Sequence, residues 1–475
     1  MSTALLHTAY DGLLFKEHGD HLIQILSEHL LTTTLGATKK TIEWNEPSKE
    51  YEFWKKYLDE QPSTEAFFKT VLARSIHTHQ PKYIGHQVAP TVPVSALATL
   101  LSAQLNNGMA VYEMGAASSA IERLVIEFFN RTLDWIHGDG FLTSGGTLAN
   151  LTALLAARKA KATTNVWKEG HTQKLAIMVS EQAHYCVDRA ARIMGLGEDG
   201  IIKVPVNSNF ALDSTQLTEQ YERATKNGYQ VIALIGSAPS TATGTYDNLD
   251  QLASFAKSHN LWFHVDGAHG GAAIFSNKYK TLVQGIERAD SIIIDGHKMM
   301  GAAAITTAVL FKNASDSYTT FQQEASYLWA DSEDPEWYNY GKRTFECTKS
   351  MMCLRIMAIL NAHGAQFFDD FVTTLYNAAY TFGKIIDSHP AFELALQPES
   401  NIVCFRYIKG VSEENKNSTN QKIRKELLEE GEFYIVATNL KSNYWLRTTF
   451  MNPFTNEKHM RELLQKIEVI AAQSI

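Results

Sequence analysis

The chain has 475 residues, 45% of them hydrophobic and 20% charged, and a formal net charge of -8. That length and apolar content supply a large core with smaller appendages, the scale of an enzyme. The acidic balance, with no long basic run to reverse it locally, argues against a nucleic-acid partner.

In chain order, Met1 to Asp20 mixes Glu17, His18 and Asp20 into its apolar residues and lacks a basic leader and a small-residue cleavage site, so no export signal is expected. No window approaches the roughly 18 to 20 apolar residues of a membrane span, and no membrane partner is expected. Residues 1–93 read as a helical arm, with a helix around Tyr51 to Leu58 and a Pro-interrupted segment from Gln80 to Pro93. His77, His79 and His86 stand close together there, but a proline divides them and no carboxylate accompanies them, so no metal is expected. From 94 to 364 short Ile- and Val-rich runs alternate with amphipathic stretches, the pattern of a mainly parallel sheet covered by helices. Strands are predicted at 175–179, 231–235, 262–265, 291–294 and 306–311, and helices at 120–132, 147–160, 184–194, 249–258 and 350–362. Residues 365–475 read as a small α+β domain with a strand at 401–407. Cys186, Cys347, Cys353 and Cys404 form no CxxC pair and are expected as reduced thiols in a cytoplasmic protein.

Two apolar strands end in polar residues: His264-Val265-Asp266-Gly267-Ala268-His269-Gly270-Gly271, and Ser291-Ile292-Ile293-Ile294-Asp295-Gly296-His297-Lys298. In an open α/β sheet, ligands sit beyond the carboxyl ends of strands, so Asp266 and Lys298 can meet on one ligand. The pair suits a cofactor aldehyde: a lysine amine forms an imine, and a carboxylate keeps a pyridine nitrogen protonated so that the ring accepts electrons. Thr143-Ser144-Gly145-Gly146-Thr147 leads straight into a helix, where close backbone approach and unpaired N–H groups favour a phosphate at Gly146 and Thr147.

In their order these segments resemble the group II pyridoxal phosphate-dependent amino-acid decarboxylases, the set with glutamate, cysteine sulfinate, diaminobutyrate and aromatic amino-acid decarboxylases. The family's HVDxAxGG, HK and TSGGT signatures stand at 264–271, 297–298 and 143–147, and Lys298-Met299-Met300-Gly301 is closest to the glutamate and cysteine sulfinate branch. The resemblance implies a fold type I, aspartate-aminotransferase-like α/β homodimer with active sites at the subunit interface. It implies pyridoxal 5'-phosphate on Lys298 as a Schiff base, with Asp266, Gly146, Thr147, Thr241, Ala268, His297 and Asp295 around it. His184, in Ser180-Glu181-Gln182-Ala183-His184, would stack on the ring. Tyr327, on the family's mobile loop, would protonate the product, and a tyrosine there favours decarboxylation over aldehyde formation. Arg447, in the stretch ending Asn452-Pro453, would pair with the substrate's α-carboxylate, and His86 would border the substrate pocket. Departures are His269, Gly267, Asp295, Pro239 and Ser240 where the family commonly has other residues. A charged His269 would favour an acidic substrate, a slight preference. An aminotransferase, an aldehyde synthase or a non-catalytic relative of the same fold stay open as alternatives.

Overall fold

In the computed structural model, which describes residues 2–321 and 336–474, the alternating apolar runs become a seven-stranded sheet. Its strands are β1 (Asp139–Thr143), β2 (Leu175–Ser180), β3 (Ile201–Val204), β4 (Gln230–Ser237), β5 (Trp262–Asp266), β6 (Ser291–Asp295) and β7 (Thr307–Phe311), in the order β1-β7-β6-β5-β4-β2-β3. From β3 to β6 every neighbouring pair is parallel. Only β7 runs against its neighbours β6 and β1. This is the fold type I α/β architecture that the sequence pattern predicts. All residues of β1, β2, β5, β6 and β7 are buried, as a sheet covered on both faces requires. The helix Gly146–Lys161 lies across β4 to β7, presenting Ala149, Ala153 and Leu154, all fully buried. The helices Leu217–Lys226 and Leu249–Ser258 pack on β3, β4 and β5.

The edge strand β1 was not among the predicted strands, and its composition explains why. Asp139 and Gly140 are poor strand formers, and Gly140 is required because a Cβ there would collide with the Val309 carbonyl of β7. The outer rim of β1 is sealed by charged side chains. Lys349 Nζ donates to the Leu142 carbonyl (2.8 Å) and to Glu122, Glu122 Oε1 accepts from Leu142 N (2.8 Å), and Arg343 Nη2 donates to the Gly140 carbonyl (2.9 Å). An unpaired sheet edge is thereby closed without another strand.

The chain divides into two compact units. The first comprises Met1–His86, Thr381–Ala395 and Cys404–Ile475, the second Gln87–Tyr380 and Leu396–Val403. The first holds the helices Gly12–Thr34, Pro47–Asp59 and Thr64–Ala73 and, from the other end of the chain, Lys416–Glu430 and Glu457–Ser474. A second sheet, in the order β10-β11-β9-β8, is built from β8 (Phe392–Leu394), β9 (Ile402–Tyr407), β10 (Val436–Leu440) and β11 (Asn443–Thr449). The β10–β11 hairpin turns on Lys441 (φ 47°) and Ser442 (φ 69°). Both residues occupy the left-handed region usually given to Asn-Gly, so the usual hairpin signal is missing from the sequence.

All four cysteines are free. Among the described residues no helix is long and apolar enough to cross a membrane.

Candidate active site

The parallel strands deliver their carboxyl ends to one side of the sheet. Asp266 is the last residue of β5, Asp295 of β6 and Ser237 of β4, and His184 follows β2 by four positions. Beyond these ends lies a cavity of about 200 Å³. Gly146, Thr147, His184, Thr241, Asp266, Ala268, Asp295, His297 and Lys298 all line it. Asn150, Cys186, Ser237, Pro239 and His269 complete its wall.

Lys298 Nζ lies 2.8 Å from Asp295 Oδ2. Burial works to lower the basicity of this amine, but the charge and hydrogen bond of Asp295, joined by the charge of Asp266, outweigh it and hold Lys298 above the usual lysine range. Asp295 is fixed in turn by Thr307 Oγ1, which donates to its Oδ1 at 2.5 Å, and His297 Nε2 stands 3.7 Å from its Oδ2. Asp266 accepts from Ala268 N (3.2 Å) and from Asn150 Nδ2 (3.1 Å). His184 caps the helix Tyr185–Ile193, its Nδ1 accepting from Cys186 N at 3.3 Å. Burial depresses its pKa, and the charge of Lys298 adds to that against the opposing pull of Asp266 and Asp295, which favours a neutral ring. Burial also pushes the Cys186 thiol up to about 12, so it lines the cavity as a protonated thiol.

At the other end of the cavity, Gly145 (φ 114°) takes a backbone conformation that L side chains rarely adopt, and no side chain caps the first turn of Gly146–Lys161. A Cβ on Gly146 would meet Asp295 Oδ1 at 3.3 Å and Ala268 Cβ at 3.5 Å, so the glycine keeps this corner open. The Ser240 to Thr245 turn, closed by Ser240 N to Thr245 O (2.9 Å), carries Thr241 to the wall. A helix N-terminus for a phosphate, a carboxylate for a ring nitrogen and an amine for an aldehyde therefore line a single cavity, and these residues fit pyridoxal phosphate.

Comparison with known proteins decides the family. Residues 55–408 match the pyridoxal-dependent decarboxylase conserved domain. The chain belongs to the pyridoxal-dependent decarboxylase family. This decarboxylase is 26% identical to the aspartate 1-decarboxylase of Aliivibrio fischeri over 98% of its own length and 92% of that protein. It is 26% identical to the aromatic-L-amino-acid decarboxylase of Bacillus atrophaeus over 85% of its length and 84% of that protein. The solved structure of mouse CSAD has the same fold, with a TM-score of 0.89 and 22% identity, covering 97% of this chain and 99% of that one. The protein is thus a pyridoxal phosphate-dependent amino-acid decarboxylase, a carboxy-lyase.

Arg447, on β11, and His86 belong to the first unit. Arg447 is buried, and burial lowers its pKa. His86 packs 5.8 Å from the Tyr434 ring, and burial together with the charges of Arg447 and Arg424 depresses its pKa. Tyr327 lies outside the described residues. His77 instead approaches His29, with ring centroids 4.8 Å apart, and among the described residues no group of three or more His, Cys, Asp or Glu is arranged to hold a metal.

Two lining residues were open to sequence reasoning and not singled out. Asn150 stands four positions after Gly146, one turn along the same helix face. Cys186 occupies the place of the family's serine in the segment containing His184.

Proposed function

We propose that this decarboxylase acts on an acidic amino acid, and that the residues around the cavity divide the work as follows. Bound pyridoxal phosphate supplies an electron sink for the pair released when carbon dioxide leaves. Lys298 anchors the cofactor through its amine, and Asp266 holds a proton at the pyridine nitrogen. Gly146 and Thr147 offer helix N–H groups to the phosphate, with the Thr241 hydroxyl, and Ala268, His297 and Asp295 line that part of the site. His184, which lines the cavity, would cover one face of the ring and keep water from it. Arg447 pairs its two parallel donors with the substrate α-carboxylate, with His86 beside it. Tyr327 returns a proton to the α-carbon.

The observation that carries this reading is the convergence of Lys298 and Asp266 on one cavity with an uncapped helix start. The acidic preference is supported by the resemblance to an aspartate 1-decarboxylase. The test is a panel of aspartate, glutamate, cysteine sulfinate, diaminobutyrate and aromatic amino acids, with amines identified by mass. A higher kcat/KM for an aromatic or diamino substrate than for every acidic one would reject the preference.

We further propose a homodimer. The helix Pro93–Leu105 leaves Leu97, Leu101 and Leu105 each more than half exposed, an apolar stripe of the kind that an isologous interface covers. Sedimentation at micromolar protein should give twice the 53.1 kDa chain mass.

A further inference from the structure

Behind Asp266 runs a line of buried side chains that never reach the cavity except at its end. Trp262 Nε1 lies 2.8 Å from Ser291 Oγ, Ser291 Oγ lies 2.8 Å from His264 Nδ1, His264 Nε2 lies 2.8 Å from Asn150 Oδ1, and Asn150 Nδ2 lies 3.1 Å from Asp266 Oδ2. All five residues are buried, and His264 and Ser291 are fully so. The two termini have fixed hydrogen-bonding character: an indole N–H only donates, and a carboxylate only accepts.

Those ends dictate every direction between them. Asp266 requires the amide N–H₂ of Asn150, which turns Asn150 Oδ1 toward His264. That oxygen requires the proton on His264 Nε2, leaving Nδ1 as an acceptor. Nδ1 then accepts a hydrogen bond from the Ser291 hydroxyl, and the Ser291 oxygen accepts from Trp262. The competing partner of Nδ1, the Ser291 carbonyl at 3.2 Å, needs a proton on Nδ1 and would require the Asn150 amide to turn its oxygen on the carboxylate. Burial depresses the His264 pKa to about 4, consistent with a neutral ring holding one proton.

The geometry points to His264 as a positioning residue: through Asn150, and locked in its tautomer by Ser291 and Trp262, it aims a permanent donor at Asp266 and so holds that carboxylate ready for the pyridine nitrogen. Donors on a carboxylate favour its charged form, which is the form that keeps a ring nitrogen protonated. His264 transfers no proton in this role. The inference rests on the proposed pairing of Asp266 with the cofactor nitrogen.

The experiment is the ¹⁵N shift of the pyridine nitrogen in enzyme reconstituted with labelled cofactor, together with the cofactor dissociation constant. His264→Phe should move the nitrogen toward its unprotonated position and weaken cofactor binding about tenfold or more, the cost of stripping a buried polar group of its partner. His264→Gln, whose amide N–H replaces Nε2–H, should restore both readouts. If His264→Phe fails to fold, Ser291→Ala replaces it, leaving the ring but unlocking the tautomer, with the same shift at smaller amplitude. An unmoved nitrogen signal and unchanged affinity in the folded variant overturn the inference. Asp266→Asn separates the two layers. If it too leaves the nitrogen unmoved, the pairing itself is wrong and the inference falls with it. If Asp266→Asn moves the signal and the His264 or Ser291 variant does not, only the positioning role is lost.

Discussion

In the second unit two charged clusters each centre on a lysine, one half-buried and one buried. Lys298 faces Asp295 and Asp266 at the cavity, and its pKa is held above the ordinary lysine value despite burial. Lys349 faces Glu122 with Arg343 nearby, and there burial and the charge of Arg343 prevail over Glu122, so its pKa is lowered. The difference lies in what each cluster is bonded to. Lys349, Glu122 and Arg343 are engaged with the backbone of β1, and Arg343 Nη1 is further tied to Asp139 Oδ2 at 2.8 Å. Lys298, by contrast, projects with its carboxylates into the cavity. Buried charge alone therefore does not mark a site. Buried charge beside open volume does.

The comparison can be broken from either side. Lys298→Ala should cut decarboxylation about 10,000-fold, the scale of losing an essential acid–base or nucleophilic group, and abolish covalent retention of cofactor after borohydride reduction, seen by mass. Its unfolding midpoint in denaturant should change little. Lys349→Met should do the reverse, costing about 3 to 5 kcal/mol of folding stability by leaving Glu122 buried without its partner, while cofactor affinity per folded molecule stays as in the parent. Loss of turnover with unaltered stability in Lys349→Met would put that lysine in the site after all.

A smaller effect should appear with acid. His264 has its pKa depressed from 6.5 to about 4 by burial. The unfolded chain therefore binds this proton more readily than the folded one. The stability linked to His264 is complete above 6.5 and lost as pH falls toward 4, amounting to about 3 kcal/mol. Denaturant titrations across that window should show the loss in the parent and a shallower slope in His264→Gln. The smallest change is expected for Arg447→Lys, which keeps the charge but not the parallel donors. KM for the substrate should rise about tenfold with a lesser effect on kcat, measured in steady state.

Much of this was legible in the residues. The parallel strands β2, β4, β5 and β6 announced themselves because strands buried on both faces are continuous apolar runs, as at 292–294, and the site followed from where those runs stop, whereas the short, half-buried parallel strand β3 was not predicted. What escaped notice lacked that signature. The strand β1 is short, carries Asp139 and Gly140 and owes its place to pairing with β7. The β10–β11 hairpin turns on Lys441 and Ser442, which carry no turn signal. Ser291 and Trp262 sit inside apolar strands, where nothing local distinguishes a hydrogen-bonded residue from a packed one. His264 was visible two positions before Asp266, hence on the same face of β5, yet its partner Asn150 is 114 positions away and only the fold brings them together.

The contact between Lys298 and Asp295 has one more implication. An ammonium group has no lone pair, so Lys298, whose basicity Asp295 raises, must lose a proton before its amine can attack an aldehyde. For the attacking step Asp295 Oδ2, 2.8 Å away, stands ready to hold that proton. Uptake of the cofactor should therefore accelerate as the medium becomes more alkaline.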